Sequence, residues 1–146
     1  MNDHTIILKG HALNKEGVCT ETMLPGHFVV SIPSDNEQTG SLAFPATAGA
    51  VAQGIMREYD IEGQGVTDAY AANDIGLYAV MSKGSEVLAR VAAGAAAIAA
   101  GAPLRVQTDG TVLTATVGTH HVVATAMEAV DNSGGGTEVF IKVEIV

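Results

Sequence analysis

The chain has 146 residues and is acidic, with 16 Asp and Glu against 7 Lys and Arg and a formal net charge of −9. No two of its basic residues are adjacent, so it lacks the clustered cations that phosphate binding requires, which excludes nucleic acid and anionic membranes as expected partners. The apolar 47% is mostly Ala and Val, with three Phe, three Tyr and no Trp, which suits one domain with a thin core that oligomerisation would supplement.

In chain order, residues 1–24 form a polar N-terminal arm without a clear core pattern, and residues 25–146 form a single β-rich domain. The arm carries one candidate strand, Thr5 to Leu8, and has no basic region leading into a long apolar core, so a soluble, unexported chain made in a host cytoplasm is expected. Cys19, the single cysteine, leaves no intramolecular disulfide to form. Further strands are expected at His27 to Ile32, Ala50 to Glu58, Gly76 to Met81, Glu86 to Val91, Ala102 to Gln107, Thr111 to Thr114, His121 to Ala129 and Thr137 to Ile145. Two polar stretches, Ser34 to Thr47 and Asp60 to Asp74, read as long loops and as candidate contact surfaces. The Ala- and Gly-rich segment from Ala92 to Ala100 predicts a short helical turn, because Ala favours helix. Thr108-Asp109-Gly110 predicts a tight hairpin. In the last strand, period-two alternation puts Val139, Ile141, Val143 and Ile145 on one face, and Glu138, Phe140, Lys142 and Glu144 on the other. The fold class is therefore all-β, a barrel or sandwich-like domain with one short helical turn near 92–100 and long loops.

Pro25 to Val30, then Val51 to Ile55, an acidic loop and the strand Gly76 to Met81 run parallel to Gly101 to Val106, then Val123 to Met127, an acidic loop and the strand Thr137 to Ile145. Either duplication or simple composition accounts for this. A duplication implies two similar β units, 25–81 and 101–146.

Sequence motifs for chemistry are missing. His120 and His121 are consecutive, so in extended chain they face opposite sides and cannot share an ion. With His4, His11 and His27 they read as surface or strand-end residues, and no metal is expected. Cys19 has no positioned base in the sequence, and no G-x-S-x-G or S-x-x-K occurs. Gly63-Gln64-Gly65 lacks a third glycine and a strand-to-helix context, and Gly134-Gly135-Gly136 has no following Lys-Ser or Lys-Thr, so no nucleotide or other cofactor is expected and the chain reads as a non-enzyme. Lys83, in Met81-Ser82-Lys83-Gly84, falls where a hairpin tip would present it. That supports an alternative reading as a small β-barrel binding or carrier domain of the lipoyl or biotinyl type.

The run Glu86 to Val91, the Ala97-Ile98-Ala99-Ala100-Gly101-Ala102-Pro103-Leu104 turn, the Asp109-Gly110 hairpin, the Val122 to Glu128 strand and the final alternating strand together resemble the capsid decoration, or cement, proteins of tailed bacteriophages. The resemblance covers the C-terminal stretch and only loosely the first half. It implies a β-rich structural virion protein, often a homotrimer. Such a protein binds the outer surface of an expanded capsid, with the major capsid protein as partner, and stabilises capsomer contacts. Under that reading the candidate capsid or subunit contacts are Ile6, Leu8, His11 and Leu13 in the arm, with Phe44, Ile61 and Tyr70 in the loops.

Overall fold

A computed structural model describes residues 5–33 and 40–146. Eleven strands build it: β1 (Ile7–Lys9), β2 (Ala12–Cys19), β3 (Phe28–Ile32), β4 (Ser41–Ala43), β5 (Gly54–Met56), β6 (Ile75–Met81), β7 (Glu86–Val91), β8 (Pro103–Val106), β9 (Val112–Thr114), β10 (Ala124–Ala126) and β11 (Val139–Ile145). The protein is all-β. Strands β2 to β6 close into a five-stranded barrel, and the rest form a six-stranded sheet ordered β1-β7-β11-β10-β8-β9.

The two units share one pairing order. In the barrel, β2 pairs with β6, β6 with β5, β5 with β3 and β3 with β4. In the second sheet, β7 pairs with β11, β11 with β10, β10 with β8 and β8 with β9. All these pairs are antiparallel. Two isolated bridges, Met23 to Tyr70 and Ile98 to Val130, link the same two connections in each unit. The units part at the last edge. β2 and β4 pair in parallel through Val18–Ser41 and Cys19–Leu42 and close the barrel, whereas β1 takes the free edge of β7 and leaves the second sheet open.

The barrel has its own interior of Cys19, Met23, Val29, Leu42, Met56, Tyr70 and Tyr78. A larger core, including Phe28, Ile55 and Ala79 of the barrel and Val87, Leu104, Ile141 and Val143 of the sheet, fills the space between the units. Barrel diameter falls with strand number, so five strands leave little room inside. Gly17 and Gly76 answer this as a cross-strand pair. A Cβ on Gly17 would lie 2.6 Å from Leu42 Cγ, and one on Gly76 2.6 Å from Cys19 Sγ.

Three sequence expectations change. No helical turn forms at 92–100, and among the described residues the helical element is the 3₁₀ turn Asp60–Glu62. Gly94 and Gly101 take left-handed φ, and Ile98 exchanges backbone hydrogen bonds of 2.7 and 2.9 Å with Val130, which draws the segment into a bridge. A run this short cannot offset the cost of helix nucleation alone. Residues 5–24, expected within a separate arm, are built into both units: Ile6, Cys19 and Met23 are fully buried, and β2 forms seven register pairs with β6. Residues 1–4 of that arm, with His4, and residues 34–39 of the Ser34 to Thr47 loop lie outside the described residues. Finally, β6 and β7 do not pair with each other, so Lys83 is not at a hairpin tip but in the jog that carries the chain from barrel to sheet. That removes the observation on which the carrier reading stood.

β2 is not among the expected strands, and β4 lies inside the Ser34 to Thr47 stretch expected as a loop; the remaining strands overlap their expected spans. β7 matches its predicted span, and the Thr108-Asp109-Gly110 hairpin joins β8 to β9, with Gly110 N–H donating to Gln107 O at 3.0 Å. Along β11, Ile141 and Val143 are fully buried.

Gly17→Ala should cost about 1–3 kcal/mol through overpacking against Leu42. Gly134→Ala, whose Cβ meets nothing within 4 Å, should change stability by less than about 0.5 kcal/mol. Urea denaturation of both variants compares the two, and equal midpoints would contradict a space-limited barrel.

Candidate functional site

The polar residues that converge in the molecule do so at the joint between its units. Arg90, next to the last residue of β7, is buried and reaches out of its sheet. Its Nε donates to Pro25 O at 2.6 Å and its Nη2 to Val66 O at 2.8 Å, both in barrel connections, and its Nη1 donates to Glu138 Oε2 at 3.3 Å. The guanidinium carbon lies 4.5 Å from the ring centroid of Phe140, its cross-strand neighbour on β11. Phe140 lies on the face of the last strand that alternation sets opposite Val139, Ile141, Val143 and Ile145, with Glu138 just ahead of β11; the chain around Gly26 covers Phe140.

His27 completes the cluster from the barrel side. Its Nδ1 accepts the Leu24 N–H at 3.1 Å, so that nitrogen carries no proton, and the ring is the neutral tautomer whose Nε2–H donates to Glu138 at 3.0 Å. The edge of the ring meets Phe44, with centroids 5.3 Å apart. Burial raises the Glu138 carboxyl, but the His27 N–H and the Arg90 guanidinium outweigh it and hold the group below the ordinary carboxylate range. Burial also lowers Arg90, against the opposing pull of Glu138. A second carboxylate works the same way nearby: Glu58, buried after β5, accepts Thr5 Oγ1 at 2.6 Å and Ile6 N–H at 3.0 Å, tying the start of the chain to the barrel. Glu58 thus holds the Thr5 hydroxyl and the Ile6 backbone, and Glu138 the side chains of Arg90 and His27.

The expected contact residues separate into three groups. Ile6 and Tyr70 are corrected: they are 0% and 2% exposed, Ile6 in the core between the units and Tyr70 inside the barrel with its hydroxyl donating to Arg57 O at 2.7 Å. Burial raises the Tyr70 phenol to about 12. Leu8 and Phe44 are half-buried against the two cores. His11, Leu13 and Ile61 are exposed, Ile61 at 88%. Sequence reasoning missed Ile75, 58% exposed at the start of β6, because it fell between the expected loop ending at Asp74 and the expected strand beginning at Gly76. It missed Arg90 and Glu138 because each sits singly among apolar neighbours. His27 is buried rather than a surface residue, His120 Nδ1 accepts the Thr116 N–H, and Cys19 is buried, with its thiol raised to about 11 by burial and Asp74.

Among the clefts that the described residues form, two bear on the expected contacts and the joint. One, of about 180 Å³, lies between the units and is lined by Phe28, Ile55, Met81, His121, Val123 and Ile145. The other, of about 500 Å³, lies at one end of the barrel and is lined by Glu16, Tyr59, Glu62, Gln64, Tyr70, Asn73, Asp74 and Ile75. Among the described residues, no three His, Cys, Asp or Glu side chains converge as a metal site.

No protein-family model matches the chain, and no curated protein does. Its fold is similar to that of the head fiber gp8.5 N base in bacteriophage phi29, with a TM-score of 0.61 over 93% of this chain and 95% of that one, at 12% sequence identity.

Removing Arg90 leaves the Pro25 and Val66 carbonyls without their donor and Glu138 with His27 alone, so Arg90→Met should cost about 3–5 kcal/mol in chemical denaturation. Glu138 is depressed in the folded state. Its contribution is therefore complete above the unfolded carboxylate value of about 4.3 and is lost as pH falls through the folded one. Glu138→Gln should flatten the fall of the urea midpoint on acidification, and an unchanged pH profile would rule out this role.

Proposed function

We propose that this protein is a structural component of a tailed-phage virion that binds the outside of the expanded head and stabilises contacts between capsomers. The observation that carries the reading is the fold shared with a phage head fiber base across nearly the whole of both chains. The decoration-protein resemblance of the C-terminal strands supports it from an independent direction, since it was read from the residues alone. The chain acts here through surface rather than reaction, with no enzymatic activity and no cofactor. Its partners are the major capsid protein and further copies of itself, in a homotrimer. Many equivalent copies on one shell let a modest affinity per site produce a large total effect. Of the expected contacts, the exposed His11, Leu13 and Ile61 are the ones that could meet a partner without unfolding the chain.

Purified protein mixed with heads of the phage that encodes it should co-sediment with expanded heads and not with compact precursors, and electron microscopy should show added density on the outer surface. Light scattering on the free protein should give three times the chain mass. A monomer that leaves expanded heads bare would defeat the proposal.

A further inference from the structure

The groove at the end of the barrel has the makings of a contact. Its lining includes Tyr59, the all but buried Tyr70 and Ile75, which is 58% exposed; Ile61, 88% exposed, adjoins the lining residue Glu62 in the 3₁₀ turn. Single exposed isoleucines are common, but two beside one concave surface form an apolar area that a partner can dehydrate. The side-chain oxygen of Gln64 is buried in the same lining without a hydrogen-bond partner among the described residues, and a turn of the side chain would present it to an incoming donor.

Charge identifies that donor. Glu16, Glu62 and Asp74 line the groove and Asp60 adjoins it, and none of the four takes part in an ion pair among the described residues. The carboxylates that are paired, Glu58, Glu86 and Glu138, serve the joints or β7 instead. Lys83 lies beyond the opposite end of β6 from Ile75. One end of the barrel is thus an anionic surface without ion pairs among the described residues, around a mainly polar cleft edged by Ile75, which repels polyanions and attracts a cationic polypeptide.

We infer that the groove between the Tyr59–Gln64 turn and the start of β6 receives a Lys- or Arg-bearing segment of the shell protein. Its apolar residues would cover Ile61 and Ile75 while its cations meet Glu16, Glu62 and Asp74. This rests on the virion reading above for the identity of the partner, though not for the chemistry of the groove.

The test uses the full chain, the variants Ile61→Asp and Glu62→Lys, and Lys83→Glu as a control outside the groove. Each is titrated onto expanded heads and, separately, with a fluorescent twelve-residue peptide alternating Lys and Leu. Both groove variants should bind heads and peptide at least tenfold more weakly at unchanged melting temperature, with Lys83→Glu unaffected. Peptide binding should weaken with salt and slow amide exchange at residues 59–64 and 73–77. Groove variants that bind both targets like the unmodified chain overturn the inference. Should heads be bound equally well by all variants, the virion reading stands and the groove falls as its contact. Should the unmodified chain take the peptide in the groove yet ignore heads, the groove stands and the virion reading falls.

Discussion

Everything else in the molecule depends on Arg90 being neutralised where it is buried. A guanidinium taken out of water is costly unless its donors are used, and here the donors are spent on holding two units together. Two of them bind carbonyls of barrel connections, one binds a carboxylate on the next strand, and the plane stacks on Phe140. Neither Pro25 nor Val66 sits in a strand, so without Arg90 these carbonyls would be buried with no donor from their own unit. His27, accepting the Leu24 N–H on one ring nitrogen and donating a hydrogen bond to Glu138 from the other, fixes the carboxylate that balances the charge. Orientation of the barrel on the sheet is thereby set by directional bonds, while the shared apolar core between them supplies area without direction.

The pairing order common to both units shows how one arrangement of five strands yields two different surfaces. Parallel pairing of β2 with β4 shuts the barrel around an interior so narrow that the Gly17–Gly76 pair has to face Leu42, Cys19 and Met56. In the second sheet β1 takes the corresponding edge, so there is no interior to fill, and the position next to the start of β11 can carry a ring as large as Phe140. The closed unit exposes the acidic groove, and the open one turns an apolar face toward the barrel.

Legibility in the sequence follows the physical role of each segment. β7 and β11 are readable because they lie in the middle of a sheet, with alternation or a continuous apolar run enforced by burial. β2, the longest strand, is not readable: Leu13 to Glu16 are exposed, and where it enters the core it does so with Gly17 and Cys19, too small to mark a strand. β4 has three residues and its pattern is set by neighbours distant in sequence. Ala92 to Ala100 reads as helix by local preference, which the long-range bridge from Ile98 to Val130 overrides. The exposure of Ile61 is visible in the sequence because its neighbours are acidic. The groove beside it is not, because it needs β2, β6 and the β5–β6 connection brought together by the barrel.

The β2–β6 ladder and the β1–β7 ladder run on from one another. Ala12 stands opposite Met81, Ser82 N–H donates to His11 O, and Lys9 then stands opposite Glu86. A single two-stranded ribbon therefore leaves the barrel and becomes the edge of the second sheet. The chain between its two sides is the whole of the barrel, so in an unfolded chain the meeting of Ile7 with Val87 would bear the entropy of closing that long loop. Once the barrel exists, the loop has already been closed, and the remaining pairs zip up from Ala12 and Met81 at little further cost in chain entropy. The path of the ribbon thus makes the outer edge cheap to close in chain entropy wherever the barrel is already formed.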